Sequence, residues 1–263
     1  MSQDIFVEVG HGPTLIDNNI MLSDASLRFA TEGVALVHNL ICGALTCVGG
    51  GTGPRYTPYH MPHRTEVMGF MTVLHGDDRF YNNIFVQKWP SDDIITMHDS
   101  DDGFDTENRA AGTWMFDEYP TYDEWISQFD FSKPADMAKL YGAHEGKLPV
   151  WIEGNAYLGG AKPSKKDVNA LISAVAREDV RVELVQKEDG YYLDTNVYEL
   201  IEGFKNRMID SDVLGKAFEP EERFENPDGT AIRFDSDYFG THRGVDVIPG
   251  PFAGAEEAAK VLY

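Results

Sequence analysis

"LIDNNIML", Leu15 to Leu22, is a short apolar run interrupted by two asparagines, and its plan returns twice further along the chain. "LVHNLICG" spans Leu36 to Gly43, and "RFYNNIFV" spans Arg79 to Val86. Each copy reads as an apolar residue, any residue, an asparagine and a second apolar run. Aligned on Asn18, Asn39 and Asn82, the copies are 21 and 43 residues apart, the second step close to twice the first. A weaker fourth copy is "WIEGNAYLGG", Trp151 to Gly160. A period near 21 with short β-rich runs in each unit marks a solenoid, whose repeats bury their apolar faces only by stacking on one another. The asparagines then have a physical task at the corners, where Asn tolerates a left-handed backbone and can bond to its counterpart one layer away, across roughly 4.8 Å. The expected fold is all-β, a right-handed parallel β-helix with loop and helical insertions and C-terminal closing strands.

Outward from the repeats, the pattern changes. Only three residues precede Asp4, which already lies in the repeating pattern, so no polar capping turn is expected ahead of the first layer. The Gly/Pro-rich stretch 49–64 and the acidic stretch 92–119 read as loops inserted between layers. Thr121 with Glu124, ahead of Tyr122, Trp125, Ile126 and Phe129, predicts a capped helix; Ser164 with Asp167, ahead of Val168, Leu171, Ile172 and Val175, predicts another. Two hairpins follow, around Asp189-Gly190 and around Pro227-Asp228-Gly229. No clean linker is visible. One partial β-helix domain over 1–263 is expected, with layers and inserted loops to about 160 and a helix plus closing strands over 161–263.

Composition narrows the partners. The 263 residues are 42% apolar and 12% aromatic, and no apolar run approaches the length of a membrane span. "MSQDIFVEVG" lacks the basic and apolar regions of a secretion signal, so a cytoplasmic protein is the default expectation. Cys42 and Cys47 sit in an apolar stretch without zinc-site spacing, which favours buried free thiols. A formal charge of -22 repels nucleic acid and anionic membranes and opposes a polyanionic substrate; a neutral substrate fits it better, and simple solubility accounts for most of the acidic residues.

Two stretches carry candidate chemistry. In "IFVEVGHG" the strand alternation puts Val7 and Val9 on one face and Glu8 on the other, outer face. Pattern alone leaves two roles open for Glu8: a solvated glutamate, or a carboxyl whose proton affinity is raised by covering loops, as a glycosidic general acid requires. "RYTPYHMPHR" supplies Tyr56, Tyr59, His60, His63 and Arg64, aromatics and donors of the kind that line a sugar pocket. Pro62 between His60 and His63 argues against a helical metal site, and "DSDDGFDTENR", Asp99 to Arg109, fails the EF-hand ligand pattern, so neither a metal nor a cofactor is expected. "GGGTG", Gly49 to Gly53, lacks the Lys and Ser/Thr of a phosphate loop.

With "FVEVGHGPTLIDNNIML", "VALVHNLICG", "RYTPYHMPHRT" and "GDDRFYNNIFV" the chain resembles glycoside hydrolase family 120, β-xylosidases built on a right-handed parallel β-helix. The resemblance is clearest over Phe6–Val86 and weaker through "WIEGNAYLGGA" and "ENPDGTAIRFDSDYFG". It implies a retaining glycosidase acting on neutral xylo-oligosaccharides, with Glu8 as the acid/base and His11, Tyr59, His60 and Arg64 binding substrate. The aspartate nucleophile implied by the family lies one layer upstream, and no residue here matches it. The chain therefore reads as the C-terminal portion of such an enzyme, incomplete by itself. The alternative is a non-catalytic carbohydrate-binding subunit that depends on a partner, either a second copy or an upstream polypeptide supplying the missing layers.

Overall fold

The computed structural model describes residues 3–48, 56–61, 63–89, 95–98, 106–130, 132–134 and 147–262. Three sheets are visited in rotation. The first circuit is β1 (Gln3–Glu8), β2 (Thr14–Asp17) and β3 (Ile20–Met21). The next is β4 (Ala25–Ala30), β5 (Val34–Val37) and β6 (Leu40–Ile41), followed by β7 (Ala44–Val48). A hairpin, β8 (Tyr56–His60) with β9 (Val67–Thr72), then interrupts the rotation before β10 (Asp78–Tyr81) and β11 (Ile84–Val86) resume it. After a second excursion through β12 (Ile95–His98) and β13 (Thr106–Ala110), β14 (Val150–Glu153), β15 (Ala156–Leu158) and β16 (Leu171–Ile172) complete the core strands.

The first sheet has the order β1-β4-β7-β13-β12, parallel from β1 to β7 and antiparallel beyond. The second, β14-β10-β5-β2, and the third, β16-β15-β11-β6-β3, are wholly parallel. Strict alternation separates the faces. Ile16, Leu36, Phe80 and Ile152 of the second sheet and Met21, Ile41, Phe85 and Tyr157 of the third point into one central core with Leu27 and Leu45 of the first. Phe85 and Tyr157 stack with centroids 5.3 Å apart and planes 10° apart, one above the other in successive layers.

The outer faces are also buried on two of the three sheets, which is why those strands read as continuous apolar runs. Ala35, Val37 and Tyr81 of the second sheet are covered by Ile209, Leu214, Phe224 and Phe234. Leu40, Ile84 and Leu158 of the third are covered by Val182, Leu193, Tyr198 and Phe252. The C-terminal segment thus runs along the sides of the stack, with the expected hairpin, β17 (Val182–Lys187) and β18 (Gly190–Thr195), and short helices, among them α2 (Val197–Leu200). Arg243 pins this cladding to a corner of the stack: its buried guanidinium donates to Asn18 Oδ1 at 2.8 Å and to the carbonyl of Pro251 at 3.0 Å. Among the described residues, neither C-terminal cluster includes the outer face of the first sheet, and Phe6 is 49% exposed.

The repeat is real, but its asparagines align one residue away from where the sequence suggested. Asn39 pairs with Asn19 and Asn83, at separations of 20 and 44 residues, and Asn155 follows 72 residues after Asn83. In each layer the side-chain amide donates to the next asparagine's Oδ1, at 3.1, 3.0 and 3.0 Å, while that oxygen also accepts the backbone N–H of the residue donating to it. Asp167 ends the ladder, accepting from Asn155 Nδ2 at 3.1 Å and from the Tyr157 hydroxyl at 2.5 Å. The preceding corner position holds Asn18, His38, Asn82 and Gly154, all with positive φ. Histidine fills the left-handed corner in the second layer, so aligning the copies on a shared asparagine slips the register.

Two other expectations change. The Thr121 capping box forms and opens α1 (Tyr122–Ile126), with the Glu124 carboxylate accepting Thr121 N–H at 2.7 Å. The Ser164 helix does not form. Ser164 Oγ donates to Asp117 at 2.8 Å, Asp167 is taken by the asparagine ladder, and Leu171 and Ile172 extend the third sheet as β16. Tertiary pairing to β15 outcompetes a marginal helix signal there. Part of the expected acidic loop is strand, β12 and β13; Gly49–Gly53 and residues 99–105 lie outside the described residues. Cys42 and Cys47 are buried free thiols whose ionisation burial pushes up to about 12.

Candidate active site

Glu8 ends β1, opposite Ala30 of β4, with its side chain on the exposed outer face of the first sheet. Val7 and Ile5 alternate inward against the core, as the strand pattern requires. On the same outer face Arg28 lies over the Phe6 ring, 4.8 Å from its centroid. Beyond Glu8 the backbone leaves the sheet: Val9 has φ 60° and its N–H donates to Ala30 O at 2.9 Å.

The turn that follows is fixed by the layer above it. Thr31 Oγ1 accepts the Gly10 N–H at 3.1 Å and donates to Gly10 O at 2.7 Å. Gly12, at φ +74°, approaches Gly33 so closely that a Cβ there would lie 2.5 Å from the Gly33 carbonyl oxygen. Between them His11 is buried, with Nδ1 2.5 Å from Glu32 Oε1. The second Glu32 oxygen accepts the Leu74 N–H at 2.8 Å, so this fully buried carboxylate has both oxygens engaged.

The β8–β9 hairpin closes over the other side of His11. Thr57 Oγ1 is hydrogen-bonded to His11 Nε2 and donates to Met71 O at 3.3 Å, which leaves the hydroxyl oxygen to accept from the ring. Both ring nitrogens are then donors, the pattern of an imidazolium. Burial opposes that charge, but the Glu32 hydrogen bond and the charges of Glu32 and Glu219 outweigh it and hold His11 above its ordinary value. Glu219, from the C-terminal segment, is pushed up to about 7 by burial and then by the Glu32 and Asp77 charges, against the pull of His11. Asp77 is raised to about 6 by burial although Arg79 lies 2.6 Å away.

Tyr59 sits edge-on to His11, ring centroids 6.3 Å apart, and lies across Gly69, where a Cβ would fall 2.6 Å from the tyrosine ring. His60 and Arg64 are farther along the hairpin: His60 Nδ1 is 3.1 Å from Glu66 O, and the exposed Arg64 pairs loosely with Glu66 at 3.4 Å. His63 ties this end to the C-terminal segment through Glu225, at 2.5 Å. The structure therefore brings His11 and Tyr59 together three residues from Glu8, and sets His60 and Arg64 at the hairpin's outer end. Sequence reasoning missed Glu32, Thr57 and Glu219. The 21-residue period held the signal for Glu32, because Thr31-Glu32-Gly33 stands one layer above Gly10-His11-Gly12.

Chemically, this is an exposed carboxylate on a sheet face, three residues along the chain from a buried histidine that is engaged by a carboxylate of the next layer and a hydroxyl of the hairpin. No protein-family model matches the chain, and no curated protein sequence does. Among solved structures, it is similar to XylC in its complex with xylose, at 30% identity and a TM-score of 0.78 over 95% of this chain. The chain spans 36% of the length of that protein.

Proposed function

We propose that this chain carries the acid/base half of a β-xylosidase-like active site on a right-handed parallel β-helix, as in glycoside hydrolase family 120. The observation that carries the reading is Glu8, exposed on the outer face of the first sheet, in a chain similar over nearly its whole length to a protein solved with xylose. Glu8 protonates the leaving glycosidic oxygen and then deprotonates the attacking water. Tyr59 offers a ring face and a hydroxyl to the sugar, and His60 and Arg64 meet hydroxyls farther from the cleaved bond. His11 acts through position: with both nitrogens engaged, it holds the Gly10–Gly12 turn that aims Glu8.

A retaining mechanism needs a second carboxyl about 5–5.5 Å from the first. The proposal assigns none within this sequence. Hydrolysis of p-nitrophenyl β-xyloside tests it, with the chain alone and mixed with the polypeptide encoded immediately upstream. Turnover in the mixture that disappears in Glu8→Gln, with folding intact, supports the assignment; unchanged turnover in that variant removes Glu8 from the mechanism. A second reading, a non-catalytic subunit covered by a partner polypeptide, is favoured by β1, β2 and β3, each the outermost strand of its sheet. Three parallel edges at one end of a stack are a template for pairing. Light scattering that finds only a monomer, with and without the upstream polypeptide, counts against it.

A further inference from the structure

We infer that Tyr122 and Trp151 form a second carbohydrate-binding site, independent of Glu8, which takes a short neutral oligosaccharide by stacking a pyranose ring on Tyr122. Tyr122 opens α1 and is 49% exposed. Its ring stacks on Trp151 of β14, centroids 6.4 Å apart and planes 28° apart. Trp151 is held rigid from behind: the Arg79 guanidinium lies 4.4 Å from its ring centroid, and Arg79 is itself buried and fixed by Asp77 at 2.6 Å and by the Leu214 carbonyl at 3.0 Å. The capping box fixes the helix that carries Tyr122. A preorganised aromatic surface loses little freedom on binding.

The two rings form a wall shared by two hollows. One, of about 250 Å³, is lined by Trp125, Pro149, Leu214 and Phe218. The other, of about 440 Å³, is lined by Thr121, Asp123, Glu153, Lys166 and Arg207. Arg207 pairs with Glu153 through two hydrogen bonds, 2.8 and 2.5 Å, so the charges at this wall offset one another. Two of the five guanidinium donors are used there. An aromatic wall with an apolar hollow on one side and polar donors and acceptors on the other matches a ligand with an apolar ring face and hydroxyls at its edge. A chain of net charge -22 repels an anionic ligand, which points to a neutral sugar. The choice of a sugar rests on the carbohydrate reading proposed above; neither aromatic ring belongs to the Glu8 region, although Asp77, which lines the smaller hollow with Arg79, also bears on Glu219.

Calorimetric titration of the full chain with xylotriose tests the inference, alongside tryptophan fluorescence. Binding that is unchanged in Glu8→Gln, retained in Tyr122→Phe and weakened about tenfold or more in Tyr122→Ala supports the site. Equal affinity in the parent chain and in Tyr122→Ala overturns it, as does the absence of any heat or fluorescence change at millimolar xylotriose. Hydrolysis of p-nitrophenyl β-xyloside is scored separately in the same preparations. Turnover without Tyr122-dependent binding sinks this site alone, whereas Tyr122-dependent binding without turnover in any mixture sinks the proposed activity and leaves the site standing.

Discussion

Asn83→Ala is the substitution that tests the asparagine ladder most directly. The Asn83 side chain is fully buried and makes four hydrogen bonds: it donates to Leu36 O at 2.9 Å and Asn155 Oδ1 at 3.0 Å, and accepts from Asn39 N at 2.9 Å and Asn39 Nδ2 at 3.0 Å. Truncation leaves the buried Asn39 N–H without its acceptor, at a cost of about 1–3 kcal/mol, and removes three further bonds worth about 0.5–1.5 kcal/mol each. Asn39 Nδ2 keeps Ile16 O at 2.8 Å, and Asn155 Oδ1 keeps the Asn83 N–H, which limits the loss. The terms add to about 2.5–7.5 kcal/mol and the retained bonds keep the loss in the lower part of that range, a large share of a domain's net stability. In a chain of this size, at about 2–4 °C per kcal/mol, that lowers Tm by about 5 °C or more. Asn19→Ala is the internal control. Asn19 is half-buried at the end of the ladder and donates two side-chain bonds, to Asn39 Oδ1 and Asp17 O, so about 1–2 kcal/mol is expected. Urea unfolding followed by circular dichroism measures both. Equal losses in the two variants, or a loss under about 1 kcal/mol for Asn83→Ala, would refute the ladder as a source of stability.

Gly12→Ala places a Cβ 2.5 Å from the Gly33 carbonyl at φ +74°, a backbone region that costs alanine energy even without the collision. A loss of about 2–4 kcal/mol is expected in thermal unfolding, and a parent-like Tm would show that the turn relaxes. Glu219 should contribute stability that is lost as pH rises from about 4.5 to about 7, and His11 stability that is lost above about 6.5. Glu219, raised to about 7 by burial, and His11, raised by Glu32 and Glu219 against the effect of burial, both hold their protons more tightly folded than unfolded. Their contribution is complete below the unfolded values and is lost as pH climbs through the folded ones. The buried His38 and His75, the latter lowered to about 4 by burial, act the other way and add stability as pH rises through about 6.5, so the Glu219 part is read from the difference between parent and variant. Glu219→Gln should remove the falling part, so that Tm of the variant relative to the parent rises from about pH 4.5 to about pH 7; a difference that stays constant with pH would remove Glu219 as its source.

The layered β architecture was legible in the sequence because parallel strands buried on both faces must be apolar throughout, and because a corner repeats at the spacing of a circuit. Glu8 was placed on the outer face by alternation alone, and its burial pattern agrees. The alignment of the corners was not legible. Asn18 and His38 occupy equivalent positions, and a left-handed corner accepts either residue, so only backbone pairing shows that Asn39 belongs with Asn19 and Asn83. The Ser164 stretch carried a helix signal that a neighbouring strand overrode, since a two-residue strand costs little to form where β15 already presents its edge. The resemblance assigned His11 to the sugar, and its partners Glu32, Thr57 and Glu219 were out of reach of that reading because they come from the next layer, an inserted hairpin and the C-terminal segment. Composition and period determine which residues face the core. What meets outside the core, the Thr57–His11 contact and the Tyr122–Trp151 wall alike, is set by long-range packing between segments, and beyond the 21-residue step from His11 to Glu32 no local pattern encodes it.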